Sequence, residues 1–583
     1  MHNVLKSFKR RLDFSALFLN TDPSESANTR SGTPQTFKKQ LIGNNALPYL
    51  FVWLLINLVT AASTELYSDE AYYWVFSRFL DWGYLDHPPM IAAIIKLGTL
   101  FGDSEVGVRI IPILLSTGAL WLLYRLSQPV PAKFFFVTVF SMLSLNLVGF
   151  MSVPDVPLLF FAVLFYYCYK GYLEEPSTIS GIILGVVVAA LIYSKYHGIL
   201  IIFFTILSNP GLLKQSTFYL AAGVALILLF PHILWQVQND YPSLQYHLVD
   251  RGASTYKLIY TLDYLLGNIP YHGPWASLVL LVAAFSYNSK DLWAKALKWN
   301  LIGTLIFFLL TTSKGYVQAN WTLLIVVPLL VLGFRKLMQW TSFHKIYLRM
   351  CYVFLVAIVA VRALIISPLA SIKIERLWEF QGAEQFATEV FDQAGDLPVV
   401  ANSYQDASLL SFYGTGDRIV PSLNINSRSN QFDLWALDGP LCGESVLFAN
   451  NYLEGDKVIG RKLSQKILTL ISSFPPVAAF EVKIVEVTKK QSDLTLVMQI
   501  HLTNTKCLEE LKGTSLKVDL WKDNNLIKTH YENIESLLRS NSDQHEPITL
   551  LIGQIENQPD HISLSVYFEE FKGTTNTLAR KDL

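Results

Sequence analysis

The chain is expected to be an α-helical polytopic membrane protein with about eleven transmembrane helices. A C-terminal extracytoplasmic region follows, first α/β and then β-sandwich-like. Three observations carry this expectation. Hydrophobic residues make up 52% of the 583 positions and charged residues only 16%, against about 25% charged in an ordinary soluble domain. Apolar stretches near the length of a membrane span, roughly 20 residues, recur as far as about residue 370. Beyond that point the composition becomes that of a soluble protein and the apolar residues begin to alternate. A mean hydropathy of +0.34 excludes a disordered chain and argues against a purely soluble enzyme. Lys plus Arg and Asp plus Glu are both 46, so no polycationic signal points to nucleic acid.

Residues 1–45 read as a cytoplasmic tail. They carry Lys6, Lys9, Arg10 and Arg11 without the apolar core of a cleavable signal peptide. Leu41–Thr64 is the first apolar stretch and reads as a signal anchor. Further stretches centre near 106–124, 134–152, 156–172, 179–196, 198–213, 217–235, 271–287, 300–313, 317–334 and 350–369, with 257–270 read as interfacial or re-entrant. Alternate connections carry Arg125 and Lys133, Lys170, Lys214, then Lys290, Lys295 and Lys298, then Arg335, Lys336, Lys345 and Arg349. All fall on the side of the tail, as the positive-inside bias requires. An odd number of spans then places everything after about 370 outside the cytoplasm. The expected division is a transmembrane domain over 46–370, an α/β region over 371–455 and a β-rich domain over 456–583. In the last, Phe480–Val487, Leu494–Leu502, Leu516–Trp521 and Ile562–Phe568 alternate with period two. Cys168 and Cys351 fall in apolar segments; whether Cys442 and Cys507 pair is left open.

The outer connections carry the chemistry. The first contains Ser68-Asp69-Glu70-Ala71-Tyr72-Tyr73-Trp74 and then Tyr84-Leu85-Asp86-His87-Pro88-Pro89. Asp69 and Tyr73 are four apart and would share a helix face. The second, Pro154-Asp155-Val156-Pro157, sets one carboxylate between two apolar stretches, where it is costly unless it meets water, a cation or a partner. Taken singly, each has a plainer reading, as an aromatic interfacial belt or a helix N-cap. Arg78, Lys96, Arg109 and Lys195, the last followed by Tyr196-His197, and Lys314 place cations on the same outer side. Such cations suit an anionic phosphate, although each could also snorkel to ordinary headgroups. Carboxylates and cations at one membrane face fit transfer of a group from a lipid phosphate. A transporter would more often hold its ionisable residues near the bilayer midplane.

Asp69-Glu70-Ala71-Tyr72-Tyr73-Trp74, Tyr84-Leu85-Asp86-His87-Pro88-Pro89 and Pro154-Asp155-Val156-Pro157 together resemble the family-39 glycosyltransferases of the GT-C superfamily. These include lipid A aminoarabinose and galacturonic acid transferases and protein O-mannosyltransferases. The resemblance covers about 45–370 and extends to Tyr404-Gln405-Asp406-Ala407-Ser408 and Asn430-Gln431-Phe432-Asp433-Leu434-Trp435. It implies a GT-C-like enzyme of the bacterial inner membrane, using a polyprenyl-phosphate sugar at the outer face and inverting the anomeric centre. Asp69 would be the base with Glu70 beside it, and Asp155 would orient the acceptor or a metal. Aminoarabinose transferases carry Lys before the Pro-Pro pair where this chain has His87.

The expected site is therefore Asp69, Glu70 and Asp155 as catalytic residues. His87, Arg78, Lys96, Arg109 and Lys195 would surround the donor phosphate. Tyr72, Tyr73, Asp86 and Tyr196 are acceptor or structural residues. No cofactor is called for with certainty; a divalent cation between Asp69, Asp86 and Asp155 is left open. The partners are a polyprenyl-phosphate sugar, a lipid or glycan acceptor such as lipid A or core, and the membrane. Acceptor proteins, or transport of a lipid or solute, are the alternatives.

Overall fold

The computed structural model describes residues 45–247, 256–367, 379–414, 418–425, 429–451, 453, 455, 457–461, 464–475, 480–490, 493–502, 513–522, 525–540, 547–554, 559–569, 571, 573–575 and 578–583. The expected tail, apart from Asn45, and Cys507 lie outside the described residues. Cys442 is disulfide-bonded, whereas Cys168 and Cys351 are free thiols.

The amino-terminal part is helical: α1 (Leu47–Ala62), α2 (Ser68–Arg78), α3 (Met90–Thr99), α4 (Glu105–Leu126), α5 (Ala132–Phe140), α6 (Leu143–Val148), α7 (Asp155–Glu174), α8 (Thr178–Ser194), α9 (Gly198–Ser208) and α10 (Ser216–Gln238). It continues with α11 (Leu258–Tyr271), α12 (Pro274–Ser286), α13 (Leu292–Thr311), α14 (Val326–Leu337) and α15 (His344–Ile366). Among the described residues, six helices are long and apolar enough to cross a membrane, or seven if the bent pair α11–α12 is one span. That is fewer than the eleven expected, because α1, α8 and α9 are apolar but shorter than 18 residues. The stretch expected at 134–152 is broken between α5 and α6 at Ser141 and Met142. The pair α11–α12 turns through 103° at Gly273, whose φ of 95° and ψ of 107° exclude a side chain. Pro270 and Pro274 flank the break.

Small residues set how closely these helices approach. A Cβ on Gly185 of α8 would meet the carbonyl oxygen of Ala221 on α10 at 2.5 Å, so α8 and α10 pack backbone to backbone. On α1, Asn57 and Thr60 share a face and are buried, as is Thr64 just past its end. Arg362 of α15 reaches this face, donating to Thr60 Oγ1 at 3.0 Å and Asn57 Oδ1 at 2.8 Å, and to the carbonyl of Asn146 at 2.8 Å.

The carboxy-terminal part opens with α16 (Ala383–Ala394), β1 (Val399–Ala401), α17 (Tyr404–Tyr413) and α18 (Gln431–Trp435). A four-stranded sheet of order β1-β2-β4-β3 follows, with β2 at Val446–Asn450, β3 at Lys457–Arg461 and β4 at Ser464–Ile471. β1 and β2 are parallel and the rest antiparallel. The expected division at 455/456 falls between two strands of this one sheet. Beyond it come β5 (Phe480–Lys490), β6 (Asp493–Leu502) and β9 (Ile548–Gln554) in one antiparallel sheet. β7 (Thr514–Lys522), β8 (Asn525–Asn533) and β10 (His561–Phe568) form another. Alternate residues of the two sheets share a core, among them Leu494, Leu496, Met498, Leu516, Val518, Leu550, Ile562 and Leu564. The period-two strands expected from the sequence are thus present, and their inner faces bury one another.

Between the helical and carboxy-terminal parts lies the layer formed by α2 and α3. Tyr72, Trp74, Phe76 and Ile95 share a core with Phe386, Val390, Ala407, Leu410, Phe432 and Leu447. One buried ion pair fixes α2 from beneath. Arg109 of α4 donates to Glu70 through Nε at 2.9 Å and Nη2 at 2.6 Å, and both side chains are fully buried. Its other donors satisfy carbonyls at the end of α1 and just past it, at Ala61, Thr64 and Glu65. Glu70 in turn accepts from the amides of Ser152 at 2.7 Å and Tyr67 at 3.0 Å. Glu70, expected as a catalytic residue, and Arg109, expected at the donor phosphate, are instead placed against each other and away from solvent.

Arg109→Leu should destabilise the protein by about 3–5 kcal/mol, since Glu70 would remain buried without its cation. The double variant Glu70→Leu/Arg109→Leu should recover part of that loss. Thermal unfolding of the detergent-solubilised protein measures both.

Candidate active site

Helix α2 starts sharply after Tyr67, where the backbone is extended. Glu70, at the third helical position, accepts from the Tyr67 amide and so caps the turn. Asp69 occupies the same first turn, where the positive end of the helix favours a carboxylate. One residue of helix rotation separates it from Glu70, about 100°. Asp69 therefore lines a cavity of about 1780 Å³, while Glu70 points to Arg109.

The segment after α2 is pinned from two sides. The Tyr84 hydroxyl accepts from the amide of Asp81 at 3.2 Å and donates to the carbonyl of Phe79 at 2.9 Å. Trp235 of α10 donates to Asp81 at 2.7 Å, and a ring nitrogen of His232 lies 2.7 Å from the Trp82 carbonyl. Ser243 donates to the carbonyl of Tyr84 at 2.9 Å, and His247 lies 3.1 Å from that of Asp86. These contacts hold Asp86 and His87 against the cavity, where His87 meets the Tyr73 ring edge-on at 5.4 Å.

Asp155 is the first residue of α7 and is buried. Lys195, extended just past α8, donates to both of its oxygens at 2.9 and 3.0 Å. Asn320 adds a third hydrogen bond at 3.2 Å. All three residues line the same cavity as Asp69, together with Tyr196, Lys314, Trp321, Glu379 and Tyr404. Apolar residues of the membrane helices complete it, including Leu147, Ile199, Phe307, Phe354 and Ile358.

The structure thus brings Asp69, Asp86, His87, Asp155, Lys195, Tyr72, Tyr73 and Tyr196 to one cavity. It does not bring Arg78, Lys96, Glu70 or Arg109 there. Arg78 pairs with Asp103 at 3.0 Å and covers the Trp74 ring. Lys96 is half-buried on α3, away from the lining. Lys195 shares its charge with Asp155 rather than standing alone.

Among the described residues, no three His, Cys, Asp or Glu side chains gather closely enough to hold a metal ion. Asp69, Asp86 and Asp155 line one cavity without forming such a group. The phenol of Tyr73 is held well above its ordinary pKa, chiefly by burial and then by Asp69 and Asp86. That of Tyr72 is likewise raised, by burial and by Asp86. Both therefore act as neutral hydrogen-bonding groups at physiological pH.

Sequence reasoning missed Asn320, Trp321 and Glu379, and gave Tyr404 and Gln405 no role. It noted Lys314 as an outer cation without assigning it to the site. Gln405, the second residue of α17, donates its amide to Asp69 Oδ1 at 3.3 Å. The Tyr404 ring packs on Tyr72 with centroids 4.5 Å apart. The only sequence signal for this pair was its place in the extended resemblance.

Residues 86–235 match a family described as dolichyl-phosphate-mannose-protein mannosyltransferase. The chain is 24% identical over 287 residues to a lipid A galacturonosyltransferase of Rhizobium johnstonii, covering 46% of this chain and 60% of that protein. The match thus spans less than two thirds of that relative's length. Among solved structures, ArnT from Cupriavidus metallidurans in the apo state aligns with a TM-score of 0.53 at 14% identity, covering 74% of this chain and 98% of that one. The same protein bound to undecaprenyl phosphate aligns with a TM-score of 0.52 at 14% identity, covering 72% and 97%. At this identity the structural likeness establishes the fold. The resemblance to the GT-C polyprenyl-phosphate-sugar glycosyltransferases is therefore borne out, in sequence over the loops that carry Asp86, His87 and Asp155, and in fold over about three-quarters of the chain.

Proposed function

We propose that this chain is an integral membrane glycosyltransferase. It would transfer a sugar from a polyprenyl phosphate to an extracytoplasmic lipid or glycan acceptor, such as lipid A or core, with inversion at the anomeric carbon. The observation that carries this reading is the single cavity. Asp69 enters it from the first turn of a helix, a buried Lys195–Asp155 pair lies in the same lining, and apolar residues of membrane helices, such as Leu147, Ile199, Phe307 and Ile358, line another part. A lipid-linked substrate needs this combination, with apolar walls for the chain and ionisable groups at the reacting end.

In the proposed step, the acceptor hydroxyl oxygen attacks C1 of the sugar as its proton passes to Asp69. The C1–O bond to phosphate breaks, and the polyprenyl phosphate leaves as an anion. A positioned base contributes about 10²–10⁴-fold to such a step. Lys195 and Lys314 are the lining lysines, and they and His87 would carry positive charge near the leaving phosphate. Asp155, held by Lys195 and Asn320, would orient the acceptor. The carboxy-terminal region would then face the periplasm from the bacterial inner membrane. The acceptor named by the relative in Rhizobium supports a lipid. The family matched over 86–235 supports a second reading with acceptor proteins.

Mass spectrometry of glycolipids, envelope glycans and envelope proteins from wild-type, deletion and Asp69→Asn cells tests this. A sugar-sized mass should disappear from a glycolipid or glycan in the deletion and fall at least about 10²-fold in Asp69→Asn, with the protein still in the membrane. Loss confined to proteins selects the second reading. Retention in Asp69→Asn removes Asp69 as the base.

Asp155→Asn leaves Lys195 buried without its counter-charge and should lower stability by about 3–5 kcal/mol as well as transfer. Asp155→Asn/Lys195→Met should regain stability in thermal unfolding while transfer stays low. Recovery of both would make the pair structural only.

A further inference from the structure

We propose that Gln405, supplied by the carboxy-terminal region, is a positioning residue that fixes the orientation of the Asp69 carboxylate. This rests on the reading of Asp69 as the base. The contact joins residues 336 positions apart, Nε2 of Gln405 to Oδ1 of Asp69 at 3.3 Å.

The surroundings show why the carboxylate needs a fixed orientation. A base carboxylate must present one oxygen to the acceptor hydroxyl, and an aspartate otherwise rotates about its last torsion. A hydrogen bond to Oδ1 sets that rotation. Gln405 itself is well placed to hold. It lies in the first turn of α17, whose cap Ser403 accepts from the Gln405 amide at 3.2 Å. The aromatic contact of Tyr404 with Tyr72 locks the same turn onto α2. A neighbouring segment is tied down as well, since the amide of Gln431 donates to the Tyr72 hydroxyl at 2.8 Å and its side chain accepts from Leu85 at 2.7 Å. The first turns of α2 and α17 therefore meet at Asp69, and both helix ends favour its anion.

An amide is also the right chemistry. It donates without adding a charge, so the carboxylate keeps enough basicity to take a proton, which an ammonium or guanidinium at that distance would suppress. The titratable groups around Asp69 are Tyr73 on its own helix, Tyr67 at the start of that helix, Tyr404 on α17, Asp86 and His87 on the loop, Asp155 with Lys195, and Glu379 beside Ser68. Gln405→Glu would add one more carboxylate against Asp69 and raise the pH at which it ionises.

The test uses the full-length protein added to membranes from deletion cells, which hold the native donor and acceptors, with the sugar-sized mass followed over time at several pH values. Gln405→Met should lower kcat about 10–100-fold with little change in KM. Gln405→Glu should move the acid limb of the pH–rate profile upward by about one unit or more. Gln405→Asn, whose shorter amide cannot reach, should resemble Gln405→Met, which also covers the case of one variant failing to accumulate. Equal loss at every pH in Gln405→Glu, or full turnover in both Gln405→Met and Gln405→Asn, overturns the proposal. Transfer retained in Asp69→Asn would instead overturn the reading on which it rests.

Discussion

The buried pair of Glu70 with Arg109 is the constraint on which the rest of the arrangement depends. Removing two charges from water costs several kcal/mol each, and the cost is offset only when every lone pair and proton finds a partner. Here Glu70 accepts from Arg109, Tyr67 and Ser152, and Arg109 also serves the carbonyls beyond α1. One carboxylate thereby ties the start of α2, the body of α4, the end of α1 and the loop before α7. Asp69 lies one residue before Glu70 and Asp155 three residues after Ser152. The spacing of Asp69 and Asp155 is thus set by Glu70, a carboxylate that does not line the cavity.

Two further sets of buried ions are held in different ways. Lys195 and Asp155 neutralise each other within the lining. Arg362 spreads its charge over Asn57, Thr60 and the Asn146 carbonyl. Both arginines act on α1, Arg362 at Asn57 and Thr60 and Arg109 at its end, through the carbonyls of Ala61 and Thr64. A short apolar helix is in this way held by polar contacts, which a low-dielectric surrounding makes costly to leave unmade. Among the described residues, Lys195 and Lys314 line the cavity, whereas Arg78, Lys96 and Arg109 do not.

The carboxy-terminal region joins the helical part through shared core rather than through a linker alone. Its α17 and α18 bury Tyr72, Phe76 and Tyr84 under Tyr404, Phe432 and Trp435. The loop helix that carries Asp69 consequently packs on both faces, which suits a residue whose position must be accurate to a fraction of an ångström.

Hydropathy and alternation are local quantities, so the sequence by itself determined the apolar helices, the alternating strands of the β-rich region and the loops that hold Asp69, Asp86, His87 and Asp155. It also marked Lys195 and Tyr196 as a cation and a phenol beside them. It could not divide the roles of the adjacent Asp69 and Glu70, because that division depends on which helix face meets Arg109, 39 positions away. Nor could it separate Arg78 and Lys96, which lie away from the cavity, from Lys314 and Asn320, which line it. The break at Ser141 was hidden inside the largely apolar run 134–152, whereas Pro270, Gly273 and Pro274 mark the other in the sequence. Only the tertiary structure brought Gln405 to Asp69 across 336 residues, since a contact of that separation is decided by how the two parts pack and leaves no period in the chain.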